Sequence, residues 1–393
     1  MTDTTITPTL DEGRLEQFLG QVVADFSATE ATAAAYVGDR LGLYRHLATS
    51  GPVTAEELAR ATGTNERLVL EWVQGQVAGG YLDHDPETRT FTLPPEHAAV
   101  LADESSTAYM AGLLDIIASL WADTEAVQAA FHGDGGLDWG AHDHRLYDGV
   151  ARLFGPVYEG NLVSEWLPSL KGVVDKLTTG ARVADLGCGW GKSTAILAAA
   201  FPSSTFVGFD IHEPSIEAAT READARGVAT NTEFHVLDAA EEIPGKGYDL
   251  VCFFDALHDM GDPLAAAKRA LRALRDDGTL LLVEPAAGDT LADNVNPVSR
   301  LFYAGSVLLC TPSALAQHGP VALGAQAGPK VLIDLLTEAG FDTARVTWSS
   351  PLWSEPRSPV RSHRVSSVLT KTWDDSSGRF QYPRATLGPA TWI

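Results

Sequence analysis

Residues 183–193, VADLGCGWGKS, close an apolar run and open the helical stretch STAILAAAF, so Gly187, Gly189 and Gly191 alternate between a strand and a helix. That junction is where α/β sheets bind ligands, and a turn without Cβ atoms lets backbone approach one closely. Three chemistries compete for it. A Walker A loop requires a glycine where Leu186 stands, which removes the phosphate-cradling reading of Gly191-Lys192-Ser193. A dinucleotide fingerprint requires its third glycine one residue later, and Asp185, two residues before Gly187, is foreign to it. What stands is D-x-G-x-G-x-G, followed 25 residues after Asp185 by Asp210 at the end of TFVGFD, with Asp238 closing EFHVLD. Each acid also has a plainer use: Asp185 can hold its turn through backbone amides, and Asp238 can cap the segment that follows.

A second concentration of chemistry is ALHDMGDP, residues 256–263, after the apolar run YDLVCFF. An imidazole titrates near pH 6.5, so a neutral His258 can take a proton from an oxygen or nitrogen nucleophile; its alternative is a satisfied structural histidine. Asp262 before Pro263 has the pattern of a helix cap. Asp259 is open between orienting the loop and touching a substrate or metal, and Glu284 closes the run GTLLLVE. His132, His142 and His144 sit in the irregular patch HGDGGLDWGAHDH, where they could line a pocket, but HDH is too short for a metal motif.

These residues need a scaffold, and its pattern changes along the chain. After a tail over 1–13, apolar residues at three-to-four spacing (Leu15, Phe18, Leu19, Val22, Val23, Phe26) predict a long helix from 14, followed by a second carrying Leu41, Leu43 and Leu47. Thr54 with Glu57 forms a capping box, Asn65 caps the next helix, Gly79 and Gly80 end it, and YLDHDPETRTFTL predicts a hairpin turning at DPET. Helix, helix, hairpin is the layout of a winged helix, which places a helical and winged-helix domain at 14–100. Residues 101–175 predict an aromatic-rich helical lid or linker. From 176 to 373, short apolar runs alternate with helical stretches, the signature of a parallel sheet covered on both faces. The tail 374–393 has no assigned role.

With 28 Lys+Arg against 52 Asp+Glu among 393 residues, the formal charge is −24. That balance disfavours nucleic acid and anionic membranes as partners, and the recognition helix NERLVLEWVQGQV offers one Arg against two Glu. Cys188, Cys252 and Cys310 form no paired framework, which suits a reducing compartment. The start lacks a basic-then-apolar leader, so a cytoplasmic location is expected.

The glycine loop, Asp210, Asp238 and the two later strands follow the order of class I S-adenosylmethionine (SAM)-dependent methyltransferases, and ALHDMGDP resembles the LHDWSD signature of the winged-helix small-molecule O-methyltransferases, the caffeate and acetylserotonin type and bacterial relatives. The resemblance covers roughly 30–345. It implies a Rossmann-like sheet of seven strands, the last near HRVSSVLTK and antiparallel, and SAM as cofactor. It implies cofactor contacts from Asp185, Gly187, Gly189, Gly191, Asp210 (ribose hydroxyls), Ile211, Asp238 (adenine amino group), Ala239 and Phe254. It further implies His258 as general base, Glu284 setting its tautomer, Asp259 beside it, and homodimerisation through the N-terminal half. The substrate is expected to be small and aromatic, walled by Trp139, Tyr147, Phe154 and Tyr158. One departure is GAQAGP, 324–329, where Gln326 replaces a second orienting acid. It admits a rival, an iron-dependent C-methyltransferase of aromatic 2-oxo acids using His258, Asp259 and His318; a SAM-sensing DNA-binding regulator is a further one.

Overall fold

A computed structural model describes residues 10–133 and 135–346. The N-terminal helices follow their sequence signals closely. Helix α1 (Glu12–Arg40) starts two residues before the expected boundary because Asp11 caps it, accepting from the Arg14 amide at 3.0 Å. Helix α2 (Leu43–Ser50) is followed by α3 (Ala55–Thr62), where Thr54 and Glu57 form both halves of the capping box. Asn65 caps α4 (Glu66–Ala78) by accepting from Leu68, and strands β1 (Asp83–Asp85) and β2 (Thr90–Thr92) pair antiparallel to complete the wing. Tyr44, Leu47, Leu58, Val73 and Phe91 fill the core of this unit, and the Trp72 indole donates to the Ala34 carbonyl at 2.8 Å, fastening α4 to α1.

Four helices, α5 (Pro95–Leu101), α6 (Gly112–Ala122), α7 (Thr124–Ala130) and α8 (Arg145–Asn161), follow the wing. Arg152 on α8 donates to Asp39 on α1 (3.0 and 3.1 Å), to Asp115 on α6 and to the Tyr109 hydroxyl at 2.5 Å. Asp39 and Asp115 are buried, and without Arg152 each would keep only a longer ion pair, Asp39 with Arg45 at 3.6 Å and Asp115 with Arg40 at 3.5 Å.

After α9 (Val173–Thr179) the alternating runs become β3 (Arg182–Leu186), β4 (Thr205–Asp210), β5 (Thr232–Val236), β6 (Tyr248–Phe254) and β7 (Leu274–Val283). They form one parallel sheet in the order β5-β4-β3-β6-β7. Helices α10 (Lys192–Ala200), α11 (Glu213–Arg226), α12 (Pro263–Ala273) and α15 (Pro329–Ala339) cover it. Two apolar clusters, one on each face, explain why β6 is buried along its whole length. Among the described residues the sheet has five strands; HRVSSVLTK, the segment expected to give the antiparallel strand, lies outside them.

A long apolar run, Pro297–Ala316, has the length and hydropathy of a membrane span. It is built from α13 (Pro297–Gly305), a π turn over Ser306–Cys310, and α14 (Thr311–Ala316). Its Leu301, Phe302, Leu308 and Leu309 line a cavity inside the protein, which accounts for much of its apolar character.

Candidate active site

Strand order reverses between β3 and β6, and the loops leaving their carboxyl ends open there, as physical rules for open α/β sheets require. The glycine loop leaves β3. A Cβ on Gly187 (φ +70°) would lie 2.5 Å from the Ala256 Cβ, so side-chain-free backbone lets the two loops touch, whereas a Cβ on Gly189 would meet nothing within 4 Å. The loop is therefore tight against the protein behind and open toward a ligand in front.

Asp185 stands behind this loop. Its Oδ2 accepts from the hydroxyls of Ser193 and Thr194, each at 2.6 Å, while Oδ1 is buried without a partner. Burial, outweighing those two hydrogen bonds, raises its pKa to about 6. Asp210 accepts from the Gly189 amide at 2.8 Å and the His212 amide at 2.9 Å, and burial raises its pKa too. Its Oδ2 thus holds the glycine loop and its Oδ1 the turn after β4, and Asp210 lines the cavity. Asp238 accepts from the Ala240 amide at 2.7 Å, the capping role that its sequence allowed.

His258 lies in a short 3₁₀ turn after β6 and is buried. Its Nδ1 is hydrogen-bonded to Glu284 Oε2; Glu284 Oε1 accepts from the Leu257 amide at 2.9 Å. Nε2 lies 3.2 Å from Asp259 Oδ1, with the Cys310 thiol close by. Burial alone would favour neutral imidazole, but Asp259 and Glu284 outweigh it and carry the His258 pKa well above its ordinary value. Asp262 caps α12 through the Ala265 amide at 2.8 Å, with Pro263 at the first helical position.

A single cavity of about 690 Å³ joins these parts. Among the expected cofactor residues, Gly187, Gly189, Asp210, Ile211, Asp238, Ala239 and Phe254 line it, while Asp185 and Gly191 sit behind its wall. The four aromatic residues expected around a substrate, Trp139, Tyr147, Phe154 and Tyr158, all line it. Tyr147 is anchored by donating to the Trp139 carbonyl at 2.6 Å and by stacking on His212.

Several expectations change. His318 joins neither group of clustered donor atoms, one of which is His258, Asp259 and Cys310, the other Asp255, His258 and Glu284. The iron triad is thereby corrected: helix α14 ends before His318, and it is Cys310, at the end of the preceding π turn, that lies beside His258 and Asp259. His132, His142 and His144 do not line the cavity. His142 is instead a buried strut between Asp123 Oδ2 (2.8 Å) and Ser313 Oγ (3.3 Å). Gln326 donates to the neighbouring Ala325 carbonyl and does not reach His258.

Three residues at the site had been given no site role from the sequence. Asp255 adopts a left-handed backbone (φ +56°) and lines the cavity; an acid at the end of an apolar strand was its signal. Gln317 clamps the loop after β6, accepting from the Gly261 amide at 3.0 Å and donating to the Asp259 carbonyl at 2.7 Å. Cys310 ends the π turn before α14 and Gln317 caps the C-terminus of α14, and neither sits in a motif.

An open parallel sheet with a glycine loop, strand-end acids and an acid-flanked histidine over an apolar cavity defines an α/β enzyme that binds a nucleoside-bearing cofactor beside a small acceptor. A methyltransferase domain family matches residues 177–313, and an Rv2258c-like winged HTH domain matches 30–103. Nocamycin O-methyltransferase of Saccharothrix syringae is 31% identical over 206 residues, 49% of this chain and 71% of that protein. Trans-aconitate 2-methyltransferase of Methylobacterium radiotolerans is 32% identical over 161 residues, covering 40% of this chain and 56% of that one, so the match spans little more than half of that relative. The fold is that of the solved mitomycin 7-O-methyltransferase, with a TM-score of 0.64 at 19% identity over 92% of this chain and 100% of that one. The chain belongs to the SAM-dependent methyltransferases, in the form that carries an N-terminal winged-helix domain. The residues fit the cofactor: the glycine loop opens onto the cavity, with nothing within 4 Å of a Cβ built on Gly189, and Asp210 and Asp238 border the same space.

Proposed function

We propose that this protein methylates a hydroxyl oxygen of a small aromatic molecule, with His258 as general base. The observation that carries the reading is the order Glu284, His258, Asp259 at the floor of an aromatic-walled cavity that also borders the glycine loop. The names of the O-methyltransferases to which the chain is similar support it.

SAM, when bound, supplies a methyl group on a positively charged sulfur, open to in-line displacement. Asp185, Gly187, Gly189, Gly191, Asp210, Ile211, Asp238, Ala239 and Phe254 are the residues assigned to hold it, with Asp210 taking the ribose hydroxyls and Asp238 the adenine amino group. Glu284 holds Nδ1 of His258, so proton traffic uses Nε2. The acceptor hydroxyl displaces Asp259 from Nε2 and gives its proton there, and Glu284 with Asp259 stabilises the imidazolium that results. Trp139, Tyr147, Phe154 and Tyr158 exclude water and orient the ring.

The protein works as a homodimer joined through its N-terminal half, a reading supported by the exposed stripe Leu15, Phe18, Leu19, Val23 and Phe26 on α1.

The test is His258→Ala. SAM should still raise the melting temperature of the variant, while methyl transfer falls by about 10²–10⁴. A variant that retains the wild-type rate overturns the assignment.

A further inference from the structure

The acceptor end of the cavity has an unbalanced charge lining. Five carboxylates line the cavity as a whole: Asp210, Asp238, Asp255, Asp259 and Glu284. Against them, among the described residues, stand Lys192 and His258, and no arginine. Lys192 is already committed, its ammonium 2.6 Å from Glu222. His258 is held between Glu284 and Asp259. A carboxylate brought to the acceptor end therefore meets like charge and no free cation, whereas hydroxyl and ammonium groups meet acceptors.

Asp255 is the acid not absorbed by the proposed chemistry. Its amide donates to the Val283 carbonyl at 2.8 Å, which pins the left-handed turn at the end of β6. Its carboxyl lies within 4.8 Å of donor atoms on His258 and Glu284 and borders the cavity. Asp259 faces Nε2 and Glu284 faces Nδ1, but Asp255 has no such duty. Resting on the methyltransfer reading above, we propose that Asp255 is a specificity-determining residue that accepts a hydrogen bond from a second hydroxyl or a protonated amine of the acceptor, and that the substrate class is uncharged or cationic rather than carboxylate-bearing. Burial supports this use by raising the Asp255 pKa to about 7, so it gains from a donor partner. The inference separates this chain from its relative named for trans-aconitate, a carboxylate, and from 2-oxo acid substrates.

The test uses three probes with the same vicinal diol: catechol, dopamine and protocatechuate, titrated at pH 8 into protein saturated with the demethylated cofactor. Catechol and dopamine should bind at least about tenfold more tightly than protocatechuate, since like charges at short range in a partly buried site cost that much or more. Asp255→Asn should fold, because asparagine tolerates the left-handed region, and should narrow the dopamine-to-protocatechuate ratio by about threefold or more. Equal or tighter binding of protocatechuate, no binding of any probe, or an unchanged ratio in the variant overturns the proposal. The cofactor-induced rise in melting temperature, read on the same samples, separates the two readings. If the rise persists, such a failure concerns acceptor selection alone; if the rise is lost in the wild type, the methyltransfer reading fails and this inference with it.

Discussion

At the scale of single residues, the proton account of His258 sets the pH dependence. Two carboxylates stabilise its charged form and raise its pKa, so the neutral base accumulates only at a pH above the ordinary histidine range. Methyl transfer should therefore rise with pH along a limb that lies above pH 6.5. Glu284→Gln removes one of the anions that favour imidazolium, so the limb should move to lower pH. The maximum rate should also drop by about tenfold or more, because the imidazole loses the partner that fixes its tautomer. A pH profile of kcat for both proteins measures the two effects separately; a limb that stays put, or moves upward, contradicts the role given to Glu284.

At the scale of elements, the strand-end acids fasten the segments around the ligand space: Asp210 holds the glycine loop and Asp185 the first turn of α10. Asp185 shows the energetic side of this arrangement. Its pKa, raised by burial from 3.8 to about 6, means that the folded protein holds a proton there that the unfolded chain releases. Stability from this group is thus full at low pH and is lost as pH rises through about 6, a cost of ~3 kcal/mol above that point. Asp185→Asn should accordingly raise the melting temperature at pH 8 and change it little at pH 4, while weakening the SAM-induced shift, as scanning calorimetry with and without cofactor would show. The β3 loop, the β6 loop and the wing were legible in the sequence because each is written locally: a glycine spacing, a strand followed by His-Asp, a capping box followed by a DPET turn. The partners that come from α13 and α14 were not. Gln317 reaches Gly261 and Asp259 across 56 and 58 residues, and Cys310 reaches His258 from a π turn in a mostly apolar segment. Nothing in the local pattern of such a segment says which residue meets the loop after β6; that is decided by tertiary packing. The same limit applies to His318, where a nearby histidine was a reasonable ligand by type but lies past the end of the helix.

At the scale of the whole molecule, two surfaces of the N-terminal half have opposite characters. Helix α4, the recognition helix of a DNA-binding winged helix, has its one arginine, Arg67, 2.5 Å from Glu71, and the full chain carries a charge of −24. Phosphate contact there would need cations that are absent from the helix, so no mobility shift is expected on duplex DNA, even at low salt. Helix α1 is different: Phe18 and Phe26 are 60% and 70% exposed, and Leu19 and Val23 between them are also exposed. A stripe of this kind, at helical spacing along one chain, is an unfinished apolar surface, which in the proposed dimer a second copy of α1 would complete with the same residues. It also adjoins the cavity wall, because Asp25 on α1 holds Arg300 on α13 with two hydrogen bonds of 2.9 and 2.7 Å, and the next two residues, Leu301 and Phe302, line the cavity. Light scattering should therefore find a dimer for the wild type and a monomer for the Phe18→Glu, Phe26→Glu double variant. If α1 braces α13 through the Asp25–Arg300 pair, the monomer should keep its SAM-induced stabilisation, since no cofactor-facing residue is touched, but lose kcat/KM for the acceptor by several-fold. A double variant that remains dimeric places the interface elsewhere, and one that is monomeric with unchanged kcat/KM uncouples assembly from the cavity.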